Sequence, residues 1–142
     1  YWAPRARAGL IGLSSHSDRR HVARAAFESI AYQIRDALEA MRAEAAVEVA
    51  TLAGDGGPTA SRFLMQFTAD LTGVDLQVAA MPECSPLGAV LAGQIGLGHV
   101  PSITALATST ATSNHYLPQR TPDDVSALHA GWRAAVRQTL ST

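Results

Sequence analysis

The sequence predicts an α/β domain with a largely parallel sheet flanked by helices, and three observations predict it. Short apolar or β-branched runs alternate with longer segments of helical periodicity, the order expected of β-α-β units. One such unit is complete between residues 47 and 78, and its crossover implies parallel strands. The 142 residues are 47% hydrophobic and 16% charged, enough for one well-filled core, so residues 1–142 read as a single domain.

After Pro4, "AGLIGLSS" is short, apolar and glycine-containing, which suits a buried strand better than a helix. Asp18 or Ser17 can cap the next segment, where Ala23, Phe27, Ile30, Ile34, Leu38 and Met41 recur at steps of three and four, the period of one helix face. Arg35 and Glu39 lie off that stripe, four apart, and are expected to pair in solvent. "VEVATLA" is β-branched at Val47, Val49 and Thr51 and reads as a strand ending at Gly54. Pro58 suits the first position of a helix, since its missing N–H would be unpaired there anyway; Phe63, Leu64, Phe67 and Leu71 form its stripe and Gly73 its left-handed end. "VDLQV" alternates as the next strand. Ser85 and Pro86 open a helix of small residues, Gly88, Ala89, Ala92, Gly93 and Gly96, able to lie close to a neighbour or ligand. Residues 98–119 are Ser/Thr-rich and read as a surface connection with one short helix. Thr121 caps the last helix; Asp123 and Asp124 favour its dipole, and Val125, Leu128, Trp132, Ala135 and Val136 face inward.

Composition narrows the function. Eleven Lys and Arg against twelve Asp and Glu leave a net charge of −1, with no basic run for nucleic acid or an anionic membrane, and no apolar run reaches membrane-spanning length. The single cysteine, Cys84, excludes an internal disulfide, suits a reducing cytoplasm and reads as a small buried apolar residue. Five histidines, His16, His21, His99, His115 and His129, show no metal-ligand spacing and read as surface residues. The opening "YWAP", without an initiator methionine, reads as the interior of a longer protein.

The most informative stretch is "GDGGPTASRF", Gly54 to Phe63. A strand that ends in Asp-Gly-Gly and enters a helix offers backbone N–H groups at the positive end of a helix dipole, and glycine lets a ligand approach without a Cβ in the way. Ser61 would turn its hydroxyl toward the same mouth. The loop lacks the Gly-Lys-Ser/Thr ending of a P-loop and is not a Gly-x-Gly-x-x-Gly fingerprint. Spacing alone leaves a nucleotide-binding loop and a plain tight turn equally open.

Longer patterns add a resemblance. "AGLIGLSSHSDRRHVARAAFESIAYQIRDALEAM" resembles the C-terminal signature of the FGGY carbohydrate kinases, carried here by Ala8, Leu10, Gly12, Leu13, His21, Val22, Ala25, Phe27 and Glu28. "GDGGPTASRFLMQFTADLTG" is similar to that family's Asp-Gly-Gly-Ala loop and Phe-Leu-Met-Gln-Phe helix, "SPLGAVLAGQIGLG" to its Ala-Leu-Gly-Ala segment, and "YWAP" to its Tyr-Trp-Asp-Pro. Within the family the glycerol kinases are most similar.

The resemblance implies an actin-like, ribonuclease-H-like fold, of which this chain is the C-terminal, nucleotide-side domain. It implies ATP and Mg²⁺ in a cleft between two domains, with a sugar or polyol bound through the absent N-terminal domain and a homo-oligomer possible. By the same resemblance, Gly57 and Ser61 contact the adenosine part of ATP and Gly56 shapes the loop. The catalytic base is an aspartate upstream of this chain, so no catalytic residue and no metal ligand is expected here, Asp55 included. Glu28 is expected to make structural hydrogen bonds; for Tyr1 and Trp2 a place near the cleft mouth and a packing partner lost at the chain end stay equally open. The chain departs from the pattern at Ala3, Ala8 and Pro58, and Ser61 stands where glycerol kinases usually carry asparagine. The alternative is a non-catalytic actin-like module that binds nucleotide or a partner for regulation or assembly.

Overall fold

The computed structural model describes residues 3–45, 48–81, 83–106 and 112–140; Tyr1, Trp2 and Val47 lie outside them. The first element is helix α1 (Arg19–Ala45). Asp18 starts it, its Oδ1 accepting the backbone N–H groups of Arg20 at 2.8 Å and His21 at 3.2 Å, donors with no partner inside the helix. The N–H of His21, then that of Arg20, then the His21 ring hold this carboxyl below its ordinary range.

Strand β1 (Thr51–Gly54) runs into a 3₁₀ turn (Gly57–Ala60) and helix α2 (Arg62–Thr72). Pro58 therefore opens a 3₁₀ turn rather than the α-helix itself, and Ser61 caps α2, its Oγ accepting Leu64 N–H at 3.3 Å. Gly73 ends α2 at φ 66°, ψ 23°, the left-handed conformation expected of it. Strand β2 (Asp75–Ala79) pairs parallel to β1, Leu52 opposite Leu76 and Gly54 opposite Val78, which completes the expected β-α-β unit.

Helix α3 (Cys84–Gly96) begins one residue before Ser85, which lies in its first turn and does not cap it. None of its residues is fully buried, and no atom lies within 4 Å of where a Cβ would stand at Gly88, Gly93 or Gly96. The close approach expected of this small-residue helix is thus not made within the described chain. Ile103–Ala105 form a 3₁₀ turn in the connection.

A third strand, β3 (Thr112–Tyr116), pairs antiparallel to β2, so the three-stranded sheet, ordered β1-β2-β3, is mixed and not largely parallel. "TSNHY" carries no apolar alternation because both its faces are exposed except at Tyr116; backbone pairing, with Gln77 opposite His115, makes it a strand. Residues 8–15 show the opposite case. They are apolar, but irregular and exposed, because among the described residues no strand lies beside them to complete a ladder.

The core gathers on α2. Leu64, Phe67 and Leu71 meet Leu76 and Val78 of the sheet, and Ala31 and Tyr32 of α1 and Val125 of helix α4 (Pro122–Leu140) close around them. Thr121 caps α4, its Oγ1 accepting Asp124 N–H at 3.2 Å. Of the stripe expected to face inward on α1 only Leu38 is fully buried; Phe27 is 43%, Ile30 40% and Met41 60% exposed. At about 1.5 Å per residue, the 27-residue α1 is more than twice as long as the 11-residue α2, which cannot cover its length. Polar neighbours make the contact: Arg35 donates from Nη1 to Leu71 O, in the last turn of α2, and from Nε to Glu39, both at 2.8 Å. The pair expected in solvent is therefore part of the α1–α2 seam.

His129, expected at the surface, is buried: its Nε2 lies 2.7 Å from Asp36 Oδ1, while Trp132 Nε1 donates to Asp36 Oδ2 at 2.8 Å. The Trp132 ring stacks on Tyr32 at 5.1 Å. Among the described residues no helix is long and apolar enough to cross a membrane.

Candidate functional site

Because β1 and β2 are parallel, both end at the same sheet edge, and the segment after each strand lies outside its carboxyl end, the usual place for ligands in open α/β sheets. After β1 comes the glycine loop; after β2 comes the start of α3. Gly56 has φ 86° and ψ 176°, a combination essentially confined to glycine. Its carbonyl turns back into the loop and accepts both Thr59 N–H at 3.1 Å and Thr59 Oγ1 at 2.7 Å.

Gly57 is the first residue of the 3₁₀ turn, and the space where its Cβ would stand is open to 4 Å. Absence of a side chain here leaves room above the backbone rather than relieving a clash within it. Ser61 comes directly after the turn, and its N–H donates to Pro58 O at 3.1 Å. Its hydroxyl oxygen is committed to the α2 cap, but that bond uses one lone pair and leaves the O–H free to donate. Gly56, Gly57 and Ser61 thus share one strand-turn-helix connection, whose charged side chain, Asp55, comes directly before Gly56.

Sequence reasoning considered Asp55 as a catalytic or metal-binding residue and set it aside, and gave it no structural partner. Its Oδ2 accepts the backbone N–H of Cys84 at 3.1 Å, which links the loop to the start of α3. The signal was faint: a helix that begins at Cys84 after Glu83 has no capping side chain of its own. Cys84 is half-buried rather than buried, and desolvation, then the Asp55 carboxylate, push its thiol pKa up, so it is a poor nucleophile. Glu28, as expected, makes a structural contact, accepting from Arg24 Nε at 2.7 Å.

Two other groupings lie apart from this loop. Asp36, Glu39 and His129 bring one ligand atom each within 4.8 Å of one another. Sequence spacing could not show this, since α1 and α4 are far apart along the chain; both Asp36 oxygens are taken up by His129 and Trp132. A cavity of about 540 Å³ is lined by Tyr32, Arg120, Asp124, Leu128 and Trp132, among others.

With the geometry in place, comparison with known proteins identifies the class. Residues 1–97 match the FGGY family of carbohydrate kinases, C-terminal domain. The chain is 40% identical over 141 residues to a glycerol kinase of Shewanella woodyi and 38% identical over 142 residues to one of Shewanella amazonensis. These matches cover 99% and 100% of this chain but 28% and 29% of those relatives. Among solved structures it resembles Plasmodium falciparum glycerol kinase with ADP, with a TM-score of 0.84 and 24% identity over 98% of this chain and 28% of that one. A xylulose kinase from Lactobacillus acidophilus superposes with a TM-score of 0.71 and 20% identity over 96% of this chain and 28% of that one. These likenesses place the α/β architecture among the actin-like folds of sugar kinases. The glycine loop, the helix it feeds and the signature before them all fall inside the matched span, and the chain belongs to the FGGY family of carbohydrate kinases.

Proposed function

We propose that residues 1–142 form the C-terminal, ATP-binding half of an ATP-dependent sugar or polyol kinase of the glycerol kinase kind, acting in the cytoplasm and inactive without its N-terminal domain. The observation that carries the reading is the open Gly57 position directly after Gly56, at the carboxyl end of β1, in a chain whose fold matches a glycerol kinase solved with ADP. A flat nucleoside face can lie against backbone there, and the Ser61 O–H can donate to it. Gly56 shapes the loop, Gly57 admits the ligand and Ser61 orients it.

Phosphoryl transfer asks the protein mainly for positioning and charge stabilisation, plus a base for the substrate hydroxyl. This chain's residues meet the positioning demand. Asp55 Oδ2 accepts Cys84 N–H, which gives this carboxylate a structural role in the loop. Mg²⁺, when present, neutralises charge on the transferring phosphates and is held through ATP and the other domain. That domain also supplies the catalytic aspartate and the contacts that choose the sugar or polyol.

Calorimetric titration of the chain with ATP and Mg²⁺, compared with Gly57→Val, tests this reading. Saturable binding weakened at least about tenfold by the substitution is the expected result, a difference of about 1.4 kcal/mol. Binding indifferent to Gly57→Val would move the nucleotide off this loop, and no binding up to millimolar ATP would reduce the loop to a turn.

A further inference from the structure

Helix α3 begins without a local cap. Glu83, at its N-cap, makes no side-chain bond to the first turn, whereas Cys84 N–H donates to Asp55 Oδ2 at 3.1 Å, 29 residues earlier in the chain. Asp55 does for α3 what a capping aspartate ordinarily does for the helix next to it in sequence: it accepts an orphan N–H at the positive end of the dipole. The hydrogen bonds of Gly56 O and Ser61 N–H described above stay within the turn itself and the Ser61 hydroxyl caps α2, whereas the Asp55 bond joins the loop to α3.

We propose that Asp55 is a positioning residue that couples the glycine loop to α3, so that the placement of Gly56 and Gly57, and with it nucleotide affinity, depends on a carboxylate that does not touch the nucleotide. The inference deepens the nucleotide-binding reading and rests on it. Asp55 sits between Gly54 and Gly56, so a shift of its side chain is transmitted directly to the residue at φ 86°, which has little conformational freedom to absorb it once the Thr59 bonds are made. Its charge also occupies the α3 N-terminus.

Amide NMR of the 142-residue chain as wild type, Asp55→Ala and Asp55→Asn, with and without ATP and Mg²⁺, tests the coupling. In Asp55→Ala, Cys84 N–H exchange is expected to speed up by about fivefold or more, as for loss of one cap. The Gly56 and Gly57 amides should shift without nucleotide, and Kd for ATP should rise by roughly five- to tenfold. Asp55→Asn keeps an acceptor oxygen in place and should recover most of each effect. Faster exchange at Cys84 with Gly56 and Gly57 unmoved would overturn the inference, whether or not nucleotide binds. So would a raised Kd with Cys84 protection intact, because Asp55 would then act on the nucleotide directly. A wild-type chain indifferent to ATP would instead overturn the binding reading and the affinity half of the inference, and the glycine amides would still report the coupling.

Discussion

At the residue scale, the glycine loop separates two uses of the same amino acid. Gly56 is required by backbone conformation, whereas at Gly57 the space a Cβ would fill is open and glycine matters through the proposed ligand. Gly56→Ala should therefore destabilise the fold by about 1–3 kcal/mol, seen in urea denaturation, because no Cβ is tolerated at its φ and ψ. Gly57→Ala, outside the left-handed region and free of contacts, should change stability by no more than ~0.5 kcal/mol and yet weaken ATP binding. Ser61→Ala should cost about 1 kcal/mol by removing the α2 cap, while Ser61→Asn keeps it. Cys84 supplies a chemical reporter: with the Asp55 carboxylate neutralised in Asp55→Asn, the thiol pKa falls and alkylation by iodoacetamide below that pKa speeds up. The loop's composition was legible in the sequence. The partner of Asp55 was not, because a bond spanning 29 residues leaves no trace in local spacing.

At the element scale, what could be read depended on whether local chemistry or a distant partner decides the structure. Helix α2 was legible because both of its ends are written into neighbouring residues: a proline before it, a left-handed glycine after it and a strong apolar face between them. Strand β3 was not, since its existence rests on β2 beside it and not on side-chain alternation. On α1 the periodicity correctly marks a helix and misassigns its buried face, because Ala31 and Tyr32 are buried instead and Arg35, a charged residue, joins the seam by binding the Leu71 carbonyl of α2. The α1 start carries a pH dependence of definite sign. The folded pKa of Asp18 is depressed, so its contribution to stability is present above its unfolded pKa and is lost as pH falls through the lower folded value. The Arg20 and His21 amides should lose their protection in that acid window, below the ordinary carboxylate range, while those of α2 retain theirs.

At the scale of the whole molecule, α4 is fastened to α1 by polar groups as well as by packing. Asp36 receives both the His129 ring and the Trp132 indole, so Asp36→Ala leaves two side chains without their partner at the seam and should cost about 1–3 kcal/mol in thermal or urea unfolding. Asp36→Asn can still accept from one of them and should cost less. The start of α3 bears differently on the molecule as a whole. The helix has no fully buried residue, its first N–H is bonded to the loop, and its 13 residues make a rod of about 20 Å. A tilt of about 10° at the tethered end carries Gly96 through roughly 3 Å, by the length of the rod alone. Helix α3 is a rod held to the glycine loop at its first N–H, so any displacement at that end would be magnified at its far tip.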